Sequence, residues 1–331
     1  MDKIKTIIKY LFFLGIGIFL FSRVYKEYDL TGFIVTLKGL KWGWVFLSLI
    51  IGLLSHLSRA IRWNMLIEPL GYNSKLYNTY LSVLILYATN LIIPRGGELA
   101  RCTILSRYEK IPFGKLVGTV VTERATDTLL LMILVFATIF SQIGVFKQFM
   151  INNPAFGQNF GFIFSVWFWI LSSVIGIGSL IALWKLRHQL KKVKFIAKIY
   201  DLLFNFFAGI KSIRNLKHPG RYILHSILIY VFYFLMMYVV FYAYQPTNNL
   251  TMLAGLTAFI MGGLAMLMPV QGGIGAWHFM VIETLSIYGL SKVHGQDYAL
   301  ISHTSMSLMI LIAGAVSFML LPVLNRKKEP K

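Results

Sequence analysis

Apolar positions along this chain fall into long continuous runs bounded by charge, rather than the strict alternation that marks half-buried strands. Clear runs cover roughly 7–22, 42–58, 125–146, 162–184, 222–244 and 298–322. Each approaches or exceeds the length that covers about 30 Å of hydrocarbon as helix. Two further stretches, 79–106 and 250–289, are equally apolar but are interrupted at their centres. The first reads Asn90-Leu91-Ile92-Ile93-Pro94-Arg95-Gly96-Gly97-Glu98, with Arg101 following, and the second Met268-Pro269-Val270-Gln271-Gly272-Gly273-Ile274-Gly275.

Proline removes a backbone donor and clashes with the preceding turn, while glycine lets the chain reverse. Each interruption therefore splits its stretch into two arms. An arm of about 15 residues reaches only about 22 Å as helix. Short arms around a tight break predict a re-entrant hairpin that enters and leaves on one side of a membrane. Such broken backbone is tolerated in a bilayer only where protein or a wet cavity covers it. Breaks at corresponding places in two halves are a sequence pointer to a transporter's binding site.

Composition sharpens the class. Hydrophobic residues make up 57% of the 331 and charged residues 13%, so the chain is expected to be an all-α polytopic membrane protein. Continuous runs exclude a β-barrel. The expectation is about six full transmembrane helices plus two re-entrant hairpins, arranged as an inverted repeat. The formal charge of +20 lies in loops between the runs, where the positive-inside bias and anionic headgroups account for it without nucleic acid. Cys102 is the only cysteine, so no intrachain disulfide and no thiolate metal site is expected. The run from Ile7 to Phe21 follows Lys3, Lys5 and Lys9, but no small-residue cleavage site precedes Arg23, so it reads as a retained first helix.

Charge asymmetry predicts orientation. Ten Lys and Arg residues between Lys185 and Arg221, the Lys-rich N-terminus and Arg326-Lys327-Lys328 all belong on the cytoplasmic side. Counting inward from these anchors works only if both broken stretches return to their starting side. The first then enters from the cytoplasm, between Lys75 and Lys110, and the second from outside, between Gln245 and His294. The whole chain, 1–331, reads as a single integral membrane domain: a first half 1–184, a basic interfacial helix 185–221 and a second half 222–324. In the middle segment Phe195, Ile199, Leu202 and Phe206 recur at helical spacing among basic residues.

Candidate chemistry sits near the breaks. Arg59-x-x-Arg62-Trp63 closes the second run, with both guanidinium groups on one helix face. They serve either as positive-inside anchors or as a forked clamp on phosphate. Arg95, Glu98 and Arg101 surround the first break, where Gly96 and Gly97 open the backbone. Amides at the start of the second arm beside Arg95 would form an anion site. Glu123-Arg124-x-x-Asp127 opens the next run, as a structural ion-pair knot or as a carboxylate relay. In the second break Gly272 and Gly273 free the backbone, and His278 follows on the second arm. His278 is either a packing residue or a titrating group. No catalytic, metal-ligating or nucleotide-binding motif is present, so neither an enzyme nor a cofactor is expected.

At Arg59-x-x-Arg62-Trp63, Pro94-Arg95-Gly96-Gly97-Glu98-x-x-Arg101, Glu123-Arg124-x-x-Asp127 and Gly272-Gly273-Ile274-Gly275, the chain resembles the flippase-like membrane-domain family. That family includes the transmembrane region of bacterial lysylphosphatidylglycerol synthases. The resemblance covers roughly 5–322 and implies transmembrane and re-entrant helices that move a phospholipid between leaflets. The synthase carries a soluble aminoacyl-transferring domain after its membrane part. This chain ends soon after Leu324, so a stand-alone member without lipid lysylation is expected. Trp277-His278 stands where a carboxylate often follows the glycine turn. The resulting expectation is a lipid translocase of the bacterial inner membrane with both termini cytoplasmic, acting on a phospholipid or polyprenyl-phosphate lipid. Arg59, Arg62, Arg95, Gly96, Gly97, Arg101, Gly272 and Gly273 would hold the headgroup. Glu98, Glu123, Arg124, Asp127 and His278 would orient charges. The alternative is a membrane-embedded transferase, or its accessory subunit, acting on polyprenyl-linked glycans or aminoacyl-phospholipids.

Overall fold

The computed structural model describes residues 2–152, 165–185 and 209–326. Every regular element among them is helical, as apolar segments must be where no water is present to satisfy the backbone. In chain order these are α1 (Asp2–Val24), α2 (Leu30–Lys38), α3 (Trp42–Ile67), α4 (Leu76–Ile92) and α5 (Gly97–Glu109). Then come α6 (Phe113–Ser141), α7 (Ile143–Asn152), α8 (Val166–Lys185), α9 (Pro219–Tyr238), α10 (Met252–Ala265), α11 (Ala276–Ile287) and α12 (Lys292–Leu324). Among the described residues four stretches are long and apolar enough to cross a membrane: Trp42–Leu70, Phe113–Ser141, Pro219–Tyr242 and Lys292–Leu324. Leu11–Val24, Leu76–Ile92 and Met252–Ala265 are shorter apolar helices.

Several boundaries differ from the charge-bounded reading. The second span does not stop at 58, because Arg59 and Arg62 are buried within α3 rather than set at its watery end. Burial also carries the last helix back to Lys292, since Gln296 and Asp297 lie inside the protein. The run read as 125–146 begins earlier, at Phe113, and ends at Ser141, with α7 a separate helix. Most of the basic segment 185–221 lies outside the described residues. Its end, from Pro219, is the first turn of α9.

The chain packs as two compact units, one made of the residues up to Val120 with those from Asn215 onward, the other of Val121–Arg214. The first unit holds both broken stretches. At one of its ends, Glu109 Oε1 accepts from Lys75 N at 3.1 Å and from Asn78 Nδ2 at 2.6 Å. Asn325 bonds Asn78 there, and Lys217 Nζ pairs with Glu68 Oε1 at 3.2 Å. The arms α4 and α5 therefore start and finish together. At the opposite end Lys41 N donates to the Ala243 carbonyl at 3.0 Å, and Tyr244 reaches His294 at 2.8 Å. The Thr257 and Tyr288 hydroxyls, on α10 and just past α11, lie 2.8 Å apart. The second pair of arms starts and finishes at that far end. Two helical hairpins thus enter the bundle from opposite ends.

A buried cluster including Val240, Phe241, Ala258, Val281, Leu285 and Tyr298 fills the far half. Small residues let helices close elsewhere: at Gly314 of α12 a side chain would strike Ala88 of α4. Helix starts are fixed by side chains, with Asp29, Thr251 and Ser291 accepting from backbone amides as N-caps. Ile312, Phe318, Met319 and Val323 are exposed along α12, a face suited to lipid rather than water.

Gly97 lies so close to α4 that a Cβ there would overlap the Leu86 carbonyl oxygen. Gly97→Ala is expected to destabilise the protein by about 1–3 kcal/mol through overpacking. Gly263 has open space around it, and Gly263→Ala is expected to be neutral or stabilising by up to about 1 kcal/mol. Thermal unfolding in detergent micelles distinguishes the two; equal midpoints would contradict the close-approach argument.

Candidate functional site

The site is built from the two breaks. In the first, Ile93 N makes the last helical bond of α4, to Thr89 O at 2.7 Å. Ile93 then turns extended, as the residue before proline tends to. Arg95 takes a left-handed φ of 62°, uncommon for a residue with a side chain. The first amide of α5, Gly97 N, is bound by Asn90 Oδ1 at 2.9 Å. That amide, expected to face an anion, is already satisfied from within the hairpin.

In the second break Gly272, Gly273 and Gly275 have φ of 56°, 72° and 80°, which only glycine adopts readily. Gly275 also abuts α1, since a Cβ there would lie 2.7 Å from the Gly17 carbonyl. His278 Nδ1 accepts from Gly275 N at 3.4 Å, and His303 of α12 donates from Nε2 to the Gly272 carbonyl at 2.8 Å. The two rings lie 4.5 Å apart between centroids. His278 is thus buried and bound to the backbone turn, with His303 beside it. Both histidines pin the break.

The tips meet. Arg95 Nη2 donates to the Leu267 carbonyl at 3.3 Å, and a Cβ on Gly272 would lie 2.7 Å from Leu91 Cδ2. Arg95 is exposed there, among the exposed side chains of Ile92, Leu267 and Met268.

Arg59, Arg62 and Arg101 of the same unit are buried. Arg101 pairs with Glu98 Oε2 at 2.7 Å, and its guanidinium sits 4.3 Å from the ring centre of Trp63. Trp63 in turn donates from Nε1 to Thr119 Oγ1 at 2.8 Å. Arg62 donates to Ser226 Oγ at 3.2 Å and lies over Tyr222, whereas Arg59 lies over Tyr87. The two residues share a helix face but engage different neighbours. In the second unit, Arg124 Nη2 lies 3.4 Å from Glu123 Oε1 and 3.3 Å from Asp127 Oδ2, with Glu123 wholly buried. Among the described residues no group of three or more His, Cys, Asp or Glu is placed to hold a metal ion.

A second polar cluster escaped the sequence reading. Buried Asp297 accepts from both Tyr28 and Tyr244, and Tyr244 also contacts His294. Burial, then the Asp297 carboxylate, raises the pKa of both phenols well above the ordinary tyrosine value. These phenols stay protonated as donors and tie the α1–α2 and α9–α10 connections onto α12. Residues 28 and 244 are too far apart in sequence for any motif to join them. The one available signal was a carboxylate beside a long apolar run.

Long apolar helices with two broken hairpins define an integral membrane protein whose core is organised around interrupted backbone. The chain belongs to the lysylphosphatidylglycerol synthase TM region family, which it matches over residues 6–314. It is also similar to a UPF0104 membrane protein of Methanocaldococcus jannaschii, 38% identical over 100 residues. That similarity covers 29% of this chain and 29% of the curated relative. No solved structure matches.

Removing Arg101 would take an ion-pair partner from Glu98 and uncover the Trp63 face. Arg101→Met is expected to lower stability by about 3 kcal/mol, the scale for breaking a buried ion pair from one side. Chemical unfolding in micelles measures this, with exposed Arg95→Met close to the wild type. Equal losses from both would contradict the division into buried and exposed cations.

Proposed function

We propose that this protein is a lipid translocase that engages a phosphate-bearing headgroup where the two hairpins touch. The observation that carries the reading is Arg95: an exposed guanidinium amid exposed apolar side chains, bonded to a backbone carbonyl and with no ion-pair partner among the described residues. A charge at membrane depth needs a counter-charge or a polar path. A lipid phosphate supplies the first, and its two acceptor oxygens suit the guanidinium fork. The headgroup would take Arg95 from the Leu267 carbonyl and loosen the junction, while the hydrocarbon tails stay in the bilayer. Membership in a family named for a lipid synthase's membrane region supports a lipid as the ligand.

On this reading the hairpins are re-entrant and related as an inverted repeat, which their entry from opposite ends supports. The end carrying Lys75, Lys110, Lys217 and Arg326 is cytoplasmic, with both termini on that side of a cytoplasmic membrane. Buried Arg59, Arg62 and Arg101, with half-buried Glu98, set the field around the pathway rather than gripping the headgroup in the closed arrangement. Transport, not bond chemistry, is the activity proposed.

In vesicles reconstituted with the protein and a leaflet-resolved labelled phospholipid, Arg95→Ala is expected to slow exchange about 10- to 100-fold. That is the scale of one hydrogen bond to a charged group. Arg95→Lys should retain part of the rate, and the unfolding midpoint should stay near the wild-type value. Exchange by Arg95→Ala at the wild-type rate would overturn the proposal.

A further inference from the structure

A groove of about 320 Å³ opens between the end of α1, the outer face of α11 and the first residue of α12. Its apolar lining includes Phe19, Phe279 and Ile282, and its polar lining is Arg23, Glu283 and Lys292. Phe19 and Phe279 are exposed, so the groove is flanked by surface that suits acyl chains. All three charged side chains are exposed, and none forms an ion pair within 4.0 Å among the described residues. The groove lies at the far end of the bundle: Gln296 donates to the Val24 carbonyl beside Arg23, and Lys292 opens α12.

We propose that this groove seats the headgroup of a zwitterionic phospholipid, one bearing both a phosphate and a primary amine. Arg23 and Lys292 supply two cations for the phosphate, and Glu283 supplies the acceptor for the ammonium. A headgroup without an amine would occupy the two cations but offer Glu283 no donor, so the ammonium is the group that Glu283 selects. The volume suits a small polar group, with the tails left along Phe19 and Phe279. This needs only a bilayer around the chain and is independent of transport through the hairpin junction.

The test uses the full chain in nanodiscs holding equal amounts of phosphatidylethanolamine and phosphatidylglycerol, with retained lipid read by native mass spectrometry. The wild type is expected to retain the ethanolamine lipid preferentially. Glu283→Gln should erase that preference, and Arg23→Gln with Lys292→Gln should lower retention of both lipids about tenfold. Equal or greater retention of phosphatidylglycerol by the wild type, or an unchanged ratio in Glu283→Gln, overturns the proposal. A second readout needs no substitution: a photoreactive ethanolamine lipid should label peptides containing Phe19–Val24 and Phe279–Glu283. Labelling that avoids both segments also overturns it.

Discussion

Breaking a helix inside hydrocarbon leaves amides and carbonyls that water cannot reach, and the rest of the structure depends on how they are satisfied. Four side chains meet this demand. Asn90 binds the Gly97 amide within the first hairpin, and His278 accepts from the Gly275 amide within the second. Arg95 donates across the junction to the Leu267 carbonyl, and His303 reaches from α12 to the Gly272 carbonyl. Two of these bonds are local and two are long-range. The breaks are thus stable only where the hairpins and α12 converge. An unsatisfied buried polar group costs roughly 1–3 kcal/mol, so parting the tips carries a penalty of that order for each buried bond lost.

The charged residues divide by the same logic. Arg101, Arg62 and Arg59 are buried against Glu98, Ser226 and aromatic rings, so each is fixed by surroundings that leave little freedom. Arg95 stands apart, exposed at a left-handed backbone position and bonded to a carbonyl that another acceptor can replace. On the proposed function, a fixed cationic interior beside one exchangeable guanidinium is what would let the junction bind and release a headgroup. The Asp297 cluster at the far end, with Tyr28 and Tyr244, ties the loops onto α12.

Much of this architecture was legible in the residues. Pro94 with Gly96-Gly97, and Pro269 with Gly272-Gly273, mark the breaks because few other residues permit such backbone, and the helices stop where those residues fall. The Glu98–Arg101 pair followed from spacing of three on a helix. Charge proved a poor guide to helix ends. Arg59 and Arg62 resembled a watery boundary, yet tertiary partners such as Ser226 and Tyr87 hold them inside α3. The roles of Asn90, His303 and Asp297 were not readable, because each depends on a neighbour brought close by packing rather than by sequence.

The most direct test of the central claim is a cross-link between the tips. The Cβ position of Gly272 lies 3.9 Å from Leu91 Cα, within the reach of a disulfide. Leu91→Cys with Gly272→Cys, in a chain whose Cys102 is replaced by serine, should form that bond on mild oxidation in membranes. Lipid exchange should then stop and recover on reduction. Two thiols that each react with a maleimide yet never join would contradict a junction of opposed hairpins.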